Sequence, residues 1–147
     1  MNEQEYISER LEVQIKWYSK QSAFNKKWFY TFKIAEILLA LSIPFLAGFI
    51  SDSTSIKIAV GIVGVLVALI SGLSIVFKFQ EKWTNYRSTA ESLKYHKFMY
   101  LNKAGMYENA SISALTQNVE NMILKENTDW SKLIESSNQE VFYKVEH

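Results

Sequence analysis

The sequence predicts an all-α membrane protein: a two-span helical hairpin with long cytoplasmic helical extensions and a short C-terminal helix. Three observations predict it. Apolar residues concentrate within residues 34–79 of the 147-residue chain instead of spreading along it. One run of about twenty residues inside that stretch carries no charge. A single proline and five glycines leave few places to turn, which favours long helices. The hydrophobic fraction of 48% is ordinary for a globular protein, so clustering decides the matter and the average does not.

Taken in order, the chain has room for one domain, 1–147. Residues 1–32 form a first cytoplasmic helix, because Ile7, Leu11, Ile15, Tyr18 and Ser22 recur at three- and four-residue steps. No proline or glycine separates it from the first span, 33–50, so helix runs on into the apolar segment. That span is interrupted by Glu36, Ser42 and Pro44. Its many Leu, Ile and Phe residues together outweigh one acid lying a turn inside the run. Membrane helices also tolerate the hydrogen bond that a proline removes.

An external loop at 51–57 contains Ser51-Asp52-Ser53-Thr54-Ser55, too short to be a domain, so the two spans are antiparallel neighbours. The second span, 58–78, is the cleaner one, with only uncharged residues between Lys57 and Lys78. At 1.5 Å per residue it matches the roughly 30 Å hydrocarbon core. The competing assignment is a buried helix in a soluble core, but a chain this short has too little other apolar material to wrap one.

Orientation follows from positive charge. Lys16, Lys20, Lys26, Lys27 and Lys33 precede the first span, Lys78, Lys82, Arg87, Lys94 and Lys97 accompany or follow the second, and the loop has only Lys57. The positive-inside rule then places both termini in the cytoplasm and the chain in the inner (plasma) membrane. Trp28, Phe29, Tyr30, Phe77, Phe79 and Trp83 supply an aromatic belt at the inner interface.

A second cytoplasmic helix occupies 79–106. Phe79, Trp83, Tyr86, Ala90, Leu93, Lys97 and Tyr100 alternate by four and three, a coiled-coil-like seam with no breaker before Gly105. Arg87 and Glu91 on this stalk are spaced for an i,i+4 ion pair. Within 111–136, Ile112, Leu115, Val119, Met122 and Ile123 form a shorter amphipathic helix that folds back on the stalk. Asn127-Thr128-Asp129-Trp130 then starts a last short helix.

Composition argues against chemistry. With no cysteine there is no disulfide framework, thiolate metal site or cysteine nucleophile, and a net charge of +1 offers no general attraction to nucleic acid. The two histidines, His96 and His147, belong to no catalytic or metal-binding motif. His96 is expected to be a solvated or stalk-packing residue. The expectation is a non-enzyme without cofactor or metal, whose surroundings are lipid and other copies of itself.

Glu36 carries the best functional case, since an ionisable group in a span faces a partner helix or water rather than lipid. Its depth matches Ser71, Ser74 and Lys78 on the second span. Two readings stay open: one Glu36 per subunit lining a cation-favouring pore, or an interfacial glutamate paired with Lys33 or Lys78 or capped by serines. Gly64, Ala68 and Gly72 lie four apart on the second span, a small-residue stripe along which helix backbones approach closely. That contact serves either the hairpin itself or another subunit.

A proline-containing first span, short loop and second span precede Tyr86-Arg87, Ala90-Glu91 and Leu93-Lys94, then Tyr100 and Tyr107. This arrangement resembles the SLATT-type families, bacterial two-transmembrane domains found beside nucleotide second-messenger synthases and nucleotide-sensing domains. Glu120, Glu126 and Trp130 also fit one branch, a domain of unknown function that often stands alone. The resemblance, over roughly residues 6–130, implies an oligomeric membrane effector that forms pores or disrupts the membrane, and it brings no catalytic residues. Two functions follow as expectations: a homo-oligomeric pore or channel, or a non-conducting scaffold or sensor. In the second, the stalk recruits a cytoplasmic protein or responds to a nucleotide signal.

Overall fold

The structure is a computed structural model that describes residues 2–48 and 54–145. The side chains of residues 130, 133, 134 and 136–145 lie outside that description, and so do Ser51, Asp52 and Ser53 of the expected loop, Trp130 as a side-chain anchor, and His147.

The described residues are almost all helical, with no strand among them. In order, they form α1 (Glu3–Glu5), a π-helical segment (Tyr6–Leu11), α2 (Glu12–Ala47), α3 (Thr54–Phe77), α4 (Phe79–Leu101), a 3-10 turn (Gly105–Tyr107) and α5 (Ile112–Val145). They divide into two compact units, Met1–Lys20 with Asn85–His147, and Gln21–Thr84.

The first unit is built on apolar stripes. Asn2 starts it with a capping box: its side chain accepts from the Glu5 amide at 2.8 Å, and its own amide donates to the Glu5 carboxylate at 3.0 Å. A π turn follows, in which the Glu12 amide bonds the Ile7 carbonyl. Leu11, Ile15 and Tyr18 then meet Ala90, Leu93 and Tyr100 of α4 and Leu115, Val119 and Ile123 of α5 in one core, sealed by Tyr107. Six of these side chains are essentially inaccessible: Tyr18, Tyr107, Leu11, Leu93, Leu115 and Val119.

Helix α4 ends in a Schellman turn. Ala104 donates to the Met99 carbonyl at 2.9 Å and Lys103 to that of Tyr100 at 3.0 Å, with Lys103 left-handed at φ 49°. Gly105 is also left-handed (φ 56°), and a Cβ there would come within 2.9 Å of the Met99 methyl. Both reasons require glycine.

The second unit, Gln21–Thr84, pairs the C-terminal part of α2 with α3 and the first residues of α4. Ser22 bonds the Trp83 carbonyl, Phe32 stacks on Phe79, and Glu36 meets Ser71. Partners descend as residue number rises, so these segments are antiparallel. Pro44 is accommodated near the end of α2, which closes at Ala47. The stretches Glu3–Ala47 and Thr54–Leu101 each hold a window long and apolar enough to cross a membrane, and none of either window is buried inside the molecule. Ile75 and Val76, for example, are 74% and 75% exposed.

One break has no mark in the sequence, and one expectation needs correction. Lys78 between α3 and α4 takes a left-handed φ of 48°, so α4 starts as a separate helix at Phe79. That conformation costs a non-glycine residue about 1 kcal/mol, and no glycine marks it. The C-terminal helix is neither short nor interrupted at Asn127, since α5 runs for 34 residues. No proline or glycine occurs in it, and two of its hydroxyls bond to carbonyls of the same helix. Thr128 bonds back to the Leu124 carbonyl at 2.9 Å and Ser131 to that of Asn127 at 3.0 Å.

Candidate functional site

Glu36 sits on the antiparallel pair in the Gln21–Thr84 unit, one turn after Lys33 on α2. Both its oxygens are engaged. One accepts from the Lys33 ammonium at 3.1 Å, and the other accepts from the Ser71 hydroxyl on α3. The side chain is 21% exposed. An acid in an apolar segment is thus given a counter-charge and a hydroxyl donor within its own chain, which is what such a group needs away from water.

Two other polar residues expected beside Glu36 make contacts elsewhere. Ser74 turns its hydroxyl onto the Ile70 carbonyl at 2.9 Å, the usual alternative for a helical serine. The Lys78 ammonium lies 3.7 Å from Glu81, an acid one turn ahead on α4.

The small-residue stripe is open. A Cβ built on Gly61, Gly64 or Gly72 meets nothing within 4 Å, so none of the described residues packs against these positions.

At the polar end of the same unit the aromatic residues cluster. Trp28 lies against Phe32 at 5.5 Å, Phe32 stacks on Phe79 at 5.5 Å, and Phe79 stacks on Phe77 at 5.4 Å. The Lys26 ammonium lies 5.6 Å from the centre of the Trp83 ring.

The first unit carries polar clasps that spacing alone did not suggest. Arg10 grips Glu120 through two bonds of 3.0 and 2.9 Å, and the Tyr6 hydroxyl donates to the same carboxylate at 3.3 Å. The Arg10 guanidinium holds the Glu120 carboxyl below the usual range. Burial, reinforced by Glu120, pushes the Tyr6 phenol up to about 12. Lys97, a position on the α4 seam, reaches Glu12 at 2.7 Å. Tyr18 donates to Glu126 at 3.2 Å, and burial pushes that acid upward, with Asp129 adding to the shift. A signal for these pairs did exist: each polar residue falls on or beside an otherwise apolar helical stripe.

His96 is part of a short relay. Its Nδ1 lies 2.7 Å from the Tyr107 hydroxyl, which accepts from the Asn118 amide at 2.9 Å. The phenolic proton can then be donated to Nδ1 when the imidazole carries its own proton on Nε2. Burial lowers the His96 pKa.

Arg87 and Glu91 form the expected i,i+4 pair at 3.1 Å on an exposed surface, with Lys94 on the same carboxylate at 3.1 Å. Beside them Asn85, Ser88, Thr89 and Ser92 of α4 face Lys125 and Glu126 of α5 across an open polar groove of about 280 Å³. Among the described residues no three His, Cys, Asp or Glu side chains group closely enough to hold a metal ion.

No curated protein and no solved structure matches this chain. A family described as a protein of unknown function (DUF4231) matches residues 13–114, from the α2 part of the first unit through the whole apolar hairpin to the start of α5. That is well over half of the 147 residues, and the chain belongs to that family.

Proposed function

We propose that the chain is a two-span inner-membrane protein, with both termini cytoplasmic, that assembles with copies of itself into a pore-forming or ion-conducting unit. The observation that carries the proposal is the open face of α3. Gly64 and Gly72, with Ala68 between them in the sequence, form a stripe where a Cβ on either glycine would meet nothing within 4 Å among the described residues. Lipid tails gain little from such a groove, whereas a second helix gains close packing. Two spans enclose no channel by themselves, so conduction requires several copies. The resemblance to SLATT-type effectors supports the same reading, as do the lysines gathered at one end of the apolar segments.

A second reading, a non-conducting scaffold whose cytoplasmic unit recruits a partner, is favoured by one specific observation. Glu36 is already engaged by Lys33 and Ser71, which leaves it less available to line a pore. Ion flux from liposomes holding the purified protein separates the two. The pore reading expects flux that Glu36→Gln alters, and a protein that assembles but never conducts is a scaffold.

A further inference from the structure

We infer that the lysine-rich end of the Gln21–Thr84 unit holds an anionic phospholipid by its phosphate, with Lys26 supplying charge and the Trp83 indole N–H supplying a directed hydrogen bond. The inference rests on the membrane reading above and goes beyond it by naming a lipid class and the residues that select it.

The first observation is an orphan donor. Trp83 Nε1 is enclosed yet meets no acceptor among the described residues. An indole nitrogen can only donate, and an enclosed donor without an acceptor is destabilising. The residue is also pinned. The Ser22 hydroxyl donates to the Trp83 carbonyl at 2.9 Å, and Ser22 and Asn25 beside this contact are buried. The acceptor is therefore best supplied from outside the chain.

The second observation is the distribution of charge at this end. Its two acids are already committed, Glu36 to Lys33 at 3.1 Å and Glu81 to Lys78 at 3.7 Å. Lys26 instead holds its ammonium over the Trp83 ring at 5.6 Å, and Lys27 adds a second positive charge next to it. A cation and an unmet donor thus lie on the same ring, contributed by two different helices. Lys26 is exposed, so an anionic oxygen drawn to its ammonium arrives at the ring whose N–H lacks an acceptor. Basic pockets between membrane helices on the cytoplasmic side are suited to anionic headgroups. The Phe32, Phe79 and Phe77 stack in the same unit is the aromatic surface that accompanies headgroup-level residues.

The test uses the full chain in nanodiscs of phosphatidylcholine mixed with phosphatidylglycerol, with retained lipid counted by native mass spectrometry after release into detergent. Wild type should retain phosphatidylglycerol over phosphatidylcholine by about fivefold, the ratio corresponding to about 1 kcal/mol for one lysine at a headgroup. Lys26→Gln and Trp83→Phe should each erase most of that preference, while Lys57→Gln at the loop end should not. Trp83→Phe keeps a ring and removes only the donor. If it fails to fold, Lys26→Glu at the exposed position tests the same site. Excess inorganic phosphate should leave retention unchanged, and release by free phosphate overturns the assignment to lipid. Bulk-like retention by wild type, or full retention by Trp83→Phe, overturns the site. Failure to enter even pure phosphatidylcholine discs would instead count against the membrane reading.

Discussion

Arg10 and Glu120, 110 residues apart in sequence, are joined by two parallel bonds of 3.0 and 2.9 Å that tie the π-helical start of the chain to α5. The pair also receives the Tyr6 hydroxyl, so one carboxylate gathers two side chains from a single wide turn. A bidentate guanidinium contact fixes geometry as well as contributing energy.

Replacing Glu120 with Gln should destabilise the first unit by about 0.5–1 kcal/mol, a modest value because the two side chains are 41% and 39% exposed and solvent screens them. The pH dependence has a definite sign. Arg10 lowers the Glu120 pKa in the folded state, so its contribution is complete above the unfolded carboxylate pKa of about 4.3. It is lost as pH falls through the folded value. Denaturant melts of the detergent-solubilised protein across that range should lose this acid-sensitive component in Glu120→Gln.

His96 provides a second, separate acid sensitivity. Burial lowers its pKa below the ordinary value of about 6.5, so the unfolded chain takes up the proton first. Stability should therefore fall as pH drops below about 6.5, and go on falling until the folded pKa is passed. Protonation also makes Nδ1 a donor, so it can no longer accept from the Tyr107 hydroxyl. His96→Gln should flatten the pH dependence in this window, and Tyr107→Phe should cost about 1–3 kcal/mol by leaving the Asn118 amide and His96 without their partner.

Leu93→Ala should cost about 2–5 kcal/mol, since Leu93 is fully enclosed in the core and its loss leaves a cavity. Ile75→Ala, at a position 74% exposed, should shift melting little in the same detergent. Equal effects at the two sites would mean that the apolar helices are packed inside the molecule.

Gly64→Leu should leave the chain folded, because the added Cβ meets nothing beyond its own stretch of helix within 4 Å among the described residues, and should reduce self-association in lipid. Cross-linking in liposomes, compared at equal protein density, reports the change. An unaltered oligomer distribution would move the subunit contact off this face of α3.

Much of the fold was legible because helix period and apolar patterning act locally. The stripes Leu11, Ile15, Tyr18 and Leu115, Val119, Ile123 are buried where three- and four-residue spacing places them. The contrast between an apolar α3, whose one charge is Lys57 in its first turn, and a polar α4 was likewise legible. The Lys78 break was not legible, since a lysine carries no signature of a left-handed backbone. Nor was the length of α5, where Asn127-Thr128-Asp129 resembles a cap but stays in helix.

At the candidate site, the sequence alone singled out Glu36 as an acid needing a partner, and only the tertiary structure chose Ser71 and Lys33 over Ser74 and Lys78. Spacing along one helix determines which residues share a face. Which of them meets an opposing side chain depends on the register between helices and on competing local acceptors, here the Ile70 carbonyl for Ser74 and Glu81 for Lys78. The same division holds across the molecule. Local chemistry determined two apolar helices with polar extensions, whereas tertiary packing decided the clasps Arg10–Glu120, Glu12–Lys97 and Tyr18–Glu126. It also left the glycine face of α3 uncovered, because long-range pairing is a property of how helices meet and not of any one of them.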